Sequence, residues 1–185
     1  MPFPDSQAST SRRPVRPLST NFVVATAKRT PSERKLGTVV VLDAQGLIAF
    51  LVGEPALEAV HDMLRSGEQT LMATINLAET RDHMRRLRGA SAEVLDADIL
   101  TTDIHFTAVD TELAVAAAEL RTTHYHRSRR AVSLADCTAA ALALDRGIRL
   151  ATSDPALLAL MVDEGGEIQP LPGSDGSLWA PPRVR

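Results

Sequence analysis

Apolar residues along the chain fall into short runs, separated by longer segments with apolar positions at helical spacing. Runs of aliphatic and β-branched residues predict buried strands at 38–42, 70–74, 104–109 and 148–153, with an edge strand at 166–171. The segments between them predict helices over 45–51, 54–67, 75–89, 91–102, 110–122, 133–147 and 155–162. Strands that alternate with helices indicate an α/β fold, a parallel sheet flanked by helices on both faces.

A single charged residue, Asp43, stands where the first predicted strand gives way to the first helix. An Asp at this position can cap the helix by accepting hydrogen bonds from the free backbone N–H groups of its first turn. The same position is also where open α/β sheets bind ligands, at the carboxyl ends of their strands. The pattern around Asp43 leaves both interpretations open.

Three further acids are predicted to lie near Asp43. Asp154 ends the fourth strand, Glu79 lies about one turn into the helix after the second strand, and Asp136 lies in the first turn of the helix before the fourth strand. In a parallel sheet, the strand carboxyl ends and the amino ends of the following helices share one edge. Topology therefore places Asp43, Glu79 and Asp154 at that edge, and Asp136 can join them.

Each of these acids also fits a structural role at the start of a helix. Asp154 precedes a proline, which is typical of an N-cap followed by proline at the first helical position. Asn76 and Glu79 have the spacing of a capping box, as do Ser133 and Asp136. Capping alone, however, gives no reason for four acids to gather at one edge of a sheet.

The chemistry that clustered carboxylates favour is metal binding. Their mutual repulsion raises their pKa values, and a divalent cation such as Mg²⁺ or Mn²⁺, which prefers oxygen ligands, relieves it. Cys137 is the only cysteine, so no Cys/His zinc cluster competes, and His124 and His126 lie in an arginine-rich loop expected to be solvated. The only lysines, Lys28 and Lys35, precede the first strand, and there is no glycine-rich lysine loop for phosphate. Metal-assisted hydrolysis is the leading chemistry.

Composition sets the domain organisation. The chain has 185 residues, enough for one domain, and 44% of them are apolar. Residues 1–37 hold seven Lys and Arg against two Asp and Glu without periodicity, which predicts a basic, disordered extension. The folded domain is expected over 38–171, followed by an irregular tail at 172–185. The single cysteine and the lack of any apolar run of about 18 residues favour a cytoplasmic protein with no membrane span.

Three stretches carry a resemblance to a known family: "VVLDAQGLIAFLVGEPALEAV", "INLAET" and "SLADCTAAALALDRGIRLATSDPALLAL". In order and spacing they resemble the PIN-domain ribonucleases, most closely the VapC toxins of bacterial toxin–antitoxin pairs. The resemblance spans residues 39–171, and its most specific part is the pair of motifs L-A-D and T-S-D, whose acids are about 18 residues apart.

This resemblance implies a metal-dependent endoribonuclease in which Asp43, Glu79, Asp136 and Asp154 bind Mg²⁺ or Mn²⁺ and are catalytic. It further implies an RNA substrate, products with a 5′-phosphate and a 3′-hydroxyl, a small antitoxin that blocks the acidic pocket, and a homodimer formed through helices of the amino-terminal half. The chain departs from the family at Gln45, where a Ser or Thr is common. Gln45 keeps open the alternative of a non-catalytic PIN-like binding protein that acts through partner contact.

An acidic domain needs basic groups to hold RNA, and the sequence contains two arginine clusters. The first follows Glu79 on its predicted helix and comprises Arg81, Arg85, Arg86 and Arg88; the second spans 121–130. Both patterns fit phosphate binding and fit a solvated charged surface equally well.

Overall fold

The computed structural model describes residues 38–181, so the basic extension predicted for 1–37 lies outside the described residues. Within this range the chain forms five strands and seven helices. The strands are β1 (Val39–Leu42), β2 (Gln69–Ala73), β3 (Ile104–Thr107), β4 (Arg149–Thr152) and β5 (Ile168–Pro170). The helices are α1 (Ala44–Val52), α2 (Leu57–Arg65), α3 (Thr74–Arg88), α4 (Ala92–Thr101), α5 (Thr111–His124), α6 (Leu134–Arg146) and α7 (Pro155–Asp163). None of these helices is long and apolar enough to cross a bilayer.

All five strands pair in parallel, in the order β3-β2-β1-β4-β5, which confirms the predicted α/β architecture. β1 lies at the centre, with Val41 opposite Leu71 of β2 on one side and opposite Leu150 of β4 on the other. Chain order reverses at β1, because β2 and β3 extend the sheet in one direction and β4 and β5 in the other. Such a reversal leaves a crevice at the carboxyl ends of the central strands, here β1 and β4.

The core forms a layer on each face of the sheet. On one face α6 and α7 pack against the strands, with Leu142, Leu150 and Leu157 among the buried residues. On the other face α1 and α2 do so, with Leu47 and Val60 buried. Because the helices that follow β1 and β4 lie on opposite faces, their amino ends diverge on either side of the crevice.

Local sequence predicts the carboxyl end of α3 but not its amino end. Gly89 ends the helix in the left-handed region, with φ of 67°, as its position after the last periodic residue predicts. At the start, Ala73 is the N-cap residue and offers no side-chain hydrogen bond. The helix therefore begins without a side-chain cap, directly after β2.

Candidate metal centre

Asp43 follows β1 and is the most deeply buried of the four predicted acids, with 1% of its surface exposed. Its Oδ1 accepts a hydrogen bond from the Gly46 N–H at 2.8 Å, so Asp43 caps α1. Its Oδ2 accepts one from the Thr152 hydroxyl at 2.6 Å. Burial raises the pKa of Asp43 from 3.8 to about 7, although both hydrogen bonds oppose the shift. The cap therefore occupies one oxygen, while the other is held against β4.

Gly46 makes this arrangement possible. A Cβ at position 46 would lie 2.5 Å from Leu42 Cδ1 and 3.3 Å from Asp43 Oδ1. Leu42 is itself fully buried, so it has little space in which to move away. The glycine thus lets the first turn of α1 approach the capping carboxylate closely.

Glu79 lies on α3, and the capping box predicted for it is wrong. Because α3 begins at Thr74, Asn76 lies inside the helix and not at its cap. Glu79 Oε2 is buried and has no hydrogen-bond partner among residues 38–181. Burial raises the pKa of Glu79, and the charges of Asp136 and Asp154 raise it further. Its carboxylate therefore has no structural task within the described part of the chain.

Asp136 and Asp154 both perform the capping roles that the sequence predicts. Asp136 Oδ2 accepts from the Ser133 N–H at 2.6 Å and its own N–H donates to Ser133 Oγ at 3.0 Å, which closes the capping box of α6. Asp154 Oδ1 accepts from the Ala156 N–H at 2.7 Å at the start of α7. Burial raises the pKa of Asp136, and the charge of Asp154 adds to the shift. In each residue the cap engages one oxygen.

The structure brings the four acids to one edge of the sheet, close enough for their charges to act on one another. The charges of Asp136 and Asp154 raise the pKa of both Asp43 and Glu79. None of the four takes part in any of the ion pairs formed within residues 38–181. The edge therefore carries negative charge that no Lys or Arg of the described chain neutralises.

These residues fit a divalent cation because they offer carboxylate oxygens, some of which have no hydrogen-bond partner within 38–181. As the side chains are arranged, no three His, Cys, Asp or Glu residues within 38–181 converge on one point. A cation held by these acids would need their side chains to turn toward it. The buried, unpartnered Glu79 Oε2 and the second oxygens of Asp136 and Asp154 are the groups available to do so. Hard oxygen donors of this kind suit Mg²⁺ or Mn²⁺.

Two further residues position the acids: Thr152, which sequence reasoning missed, and Asn76, to which it gave a capping role instead. Asn76 is fully buried, and its Nδ2 donates to the Ala135 carbonyl at 3.2 Å, which ties α3 to α6 next to Asp136. Thr152 is fully buried as well; besides its bond to Asp43, its Oγ1 accepts from the Asp154 N–H at 3.0 Å. Thr152 thus holds two of the four acids in register. The only sequence signal for it was its place two residues before Asp154.

Replacing Thr152 by Val is expected to lower the free energy of unfolding by about 1–3 kcal/mol, because a buried hydrogen bond to a carboxylate is lost. The variant should also raise the pKa of Asp43 further, since the Thr152 hydroxyl is the largest influence that lowers it. Denaturant unfolding should therefore show a larger loss at pH 8, where Asp43 is charged, than at pH 5. Thr152→Ser, which keeps the hydroxyl, is the matched control; an equal loss in both variants would contradict this role.

The arginines that follow Glu79 are largely engaged by carboxylates. On and around α3, Arg81 pairs with Asp96, Arg86 with Asp82 at 3.0 Å, and Arg88 with Glu54 at 3.5 Å. These pairs are on the surface, where ion pairs contribute little stability. The first arginine cluster therefore has less free positive charge for phosphate than its sequence suggests.

His124 is not the solvated residue that the sequence predicts. Its side chain is 9% exposed, its Nε2 lies 2.5 Å from Glu164 Oε1, and its Nδ1 accepts from Arg130 at 2.8 Å. Arg130 in turn pairs with Asp163 at 2.7 Å. His126 is exposed, as expected. The end of α5 is thus fastened to the end of α7 by side chains that sequence spacing assigned to a free loop.

A parallel α/β sheet with a cluster of unneutralised acids at its carboxyl edge defines a class of acidic-site domains suited to metal-assisted chemistry. Comparison with known families shows which family within this class the chain belongs to. The model of the PIN domain matches residues 40–160, and the chain belongs to the PIN domain family. The resemblance noted in the sequence is thereby confirmed. No curated protein sequence matches the chain.

Solved structures show the same fold. The chain is similar to VapC20 of Mycobacterium tuberculosis, described as a toxin that cleaves the sarcin–ricin loop, with 22% identity over 65% of this chain and 93% of that one and a TM-score of 0.54. It is also similar to DNA-bound VapBC from Salmonella typhimurium (15% identity, 71% and 97% covered, TM-score 0.52). VapBC2 from Rickettsia felis, bound to a promoter DNA fragment, gives 13% identity, 71% and 98% covered, and a TM-score of 0.51. At these identities the likeness establishes the fold.

Proposed function

We propose that this protein is a metal-dependent endoribonuclease that hydrolyses RNA phosphodiester bonds, and that it is the toxin of a type II toxin–antitoxin pair. The observation that carries the proposal is the cluster of four acids without a basic partner in the described chain. In this proposal Asp43, Glu79, Asp136 and Asp154 bind Mg²⁺ or Mn²⁺. PIN-domain membership and the toxin structures of the same fold support it.

The contacts of Asp43 and Glu79 suggest a different role for each in the proposed reaction. A bound divalent cation would lower the pKa of an attacking water and screen the charge that develops on the phosphate. Asp43, fixed by Gly46 and Thr152, supplies the rigid base of the site. Glu79 Oε2, free of hydrogen bonds within residues 38–181, would supply a second ligand that no cap engages. The family resemblance predicts a 5′-phosphate and a 3′-hydroxyl on the products.

The proposal extends to domain limits, partners and compartment. We assign the PIN domain to residues 38–171, with a cytoplasmic location, and expect a small antitoxin to cover the acidic edge. Structures of VapBC complexes among those with the same fold support an antitoxin partner. The homodimer rests on the family resemblance alone. An upstream reading frame for a short DNA-binding protein would be the genomic sign of the antitoxin.

Incubation of the purified full-length protein with total RNA and Mn²⁺, followed by mapping of the new ends, tests the proposal. We expect defined internal cuts with 5′-phosphates that disappear when the metal is chelated. The alternative of a non-catalytic binding protein is favoured by Gln45, which replaces the common hydroxyl beside the first acid. Retention of RNA on the protein without any cut in Mn²⁺ or Mg²⁺ would support that alternative and overturn the enzymatic one.

A further inference from the structure

An open cleft of about 470 Å³ lies directly beside the acidic edge. One wall comes from the starts of α1 and α7 and includes Gln45 and Asp154. The other wall comes from the segment after β5, residues 173–179, and includes Trp179. The volume is within the range of roughly 300–1,000 Å³ found for sites that bind small organic groups. The cleft therefore has room for one such group next to the proposed metal ligands.

The segment that forms the second wall is anchored to the folded domain. Leu171 is 1% exposed, and its N–H donates to the Thr152 carbonyl at 2.9 Å, so the chain leaves the sheet at the acidic edge. A turn follows, closed by the Gly173 N–H donating to the Ser177 carbonyl at 2.8 Å. Asp175 Oδ1 accepts from the Ser177 N–H at 2.9 Å inside this turn. The segment before Trp179 is thus anchored to the sheet at Leu171 and folded into a turn over 173–177.

The charges of the cleft favour a neutral occupant. Its lining contains two carboxylates, Asp154 and Asp175, and no Lys or Arg from the described chain. Hydrogen bonds from Ser177 lower the pKa of Asp175, so this group stays ionised at neutral pH. A phosphate would be repelled here, whereas a group with N–H donors would be attracted. The phosphates of a nucleic acid therefore have to lie outside the cleft.

The remaining lining groups are those that recognise a nucleobase. Trp179 is a partly buried aromatic side chain that lines the cleft, and unpaired bases stack on such rings. Gln45 is exposed on the first turn of α1, and its amide offers both a donor and an acceptor to the edge of a base. We infer that this cleft binds one unpaired nucleobase of a single-stranded RNA, with Trp179 as the stacking surface and Gln45 and Asp175 at the polar edge. The inference rests on the proposed function for its ligand.

Trp179 is the only tryptophan in the chain, so its fluorescence reports on the cleft alone. The full-length protein is titrated with short single-stranded oligoribonucleotides in the presence of a chelator, which separates binding from cleavage. We expect a saturable change in tryptophan emission that is absent when the same RNA is paired with its complement. Emission that stays constant with every oligoribonucleotide would overturn the inference, even if the protein cleaves RNA.

Variants give the second measurement, with fluorescently labelled RNA as the probe. Trp179→Ala should weaken binding about tenfold, within the cost measured for loss of one base–aromatic stack, and Trp179→Phe should recover most of it. Leu178→Ala is the matched control, because Leu178 is 63% exposed on the same segment and does not line the cleft. Equal affinity of Trp179→Ala and the wild type, or an equal loss in Leu178→Ala, would overturn the inference. Failure of cleavage with these binding results intact would count against the proposed hydrolysis alone.

Discussion

Asp43→Asn is expected to abolish RNA cleavage while leaving the protein folded and, at neutral pH without metal, at least as stable as the wild type. An amide binds Mg²⁺ poorly compared with a carboxylate, so the proposed site loses its most buried ligand. Asn caps a helix about as well as Asp, so the bond from the Gly46 N–H is kept. Activity and stability should therefore change in opposite directions.

The difference in stability between the wild type and Asp43→Asn is expected to depend on pH. Burial raises the pKa of Asp43 from 3.8 to about 7, so the folded protein binds this proton more tightly than the unfolded chain does. The contribution of Asp43 to stability is thus complete below about pH 3.8 and is lost as the pH rises through about 7. The amide that Asp43→Asn introduces does not titrate in this range. Without metal, the melting temperature of the wild type should consequently fall relative to that of Asp43→Asn as the pH rises from 4 to 8.

The opposite result has an equally clear meaning. If Asp43 were a helix cap and nothing more, Asp43→Asn would retain cleavage. The pH-dependent difference in stability would remain even then, because burial of the carboxylate causes it. Retained activity would therefore contradict the proposed role of Asp43 in metal binding, whatever the melting temperatures show.

Mn²⁺ is expected to raise the melting temperature of the wild-type protein, and the rise should vanish in Asp43→Asn and in Asp154→Asn. A ligand that binds only the folded state at 100 times its dissociation constant adds about 2.7 kcal/mol, or roughly 5–10 °C for a domain of this size. The amide in Asp154→Asn can still cap α7, so loss of the shift would not reflect loss of the cap. Differential scanning fluorimetry with and without a chelator measures the effect.

Asp110→Asn provides the matched control for both variants. Asp110 caps α5 through a 2.9 Å bond from the Leu113 N–H, and it is exposed. Its substitution makes the same chemical change at a helix start outside the four-acid cluster, and the Mn²⁺ shift should be kept. A shift that survives in Asp43→Asn and Asp154→Asn would show that these acids do not share a metal.

Local sequence was sufficient for the elements and for most of the caps. The apolar pattern predicted each strand and helix of the described chain, with ends displaced by a few residues, and it placed Ser133 with Asp136 and Asp154 with its proline correctly. These features depend on residues within about one helical turn of each other, so they are legible in a short window. The capping box predicted at Asn76 was wrong, because α3 begins two residues earlier, at Thr74, without a side-chain cap.

Pairing between distant residues was beyond the reach of the sequence. The bond from Thr152 to Asp43 joins residues 109 positions apart, and that from Asn76 to Ala135 joins residues 59 apart. Whether such groups meet depends on the strand order. In this sheet β1 has β2 on one side and β4 on the other, which brings Thr152 next to Asp43. The wall that carries Trp179 likewise exists only because β5 ends beside β4.

By itself, then, the sequence determined an α/β chain with four acids at strand and helix ends, because backbone periodicity and capping are short-range interactions. The tertiary structure alone decided which oxygens are held by caps, which are left without partners, and how strongly burial opposes their ionisation. Those properties arise from desolvation and from charges on separate elements, and both depend on the packing of the whole sheet.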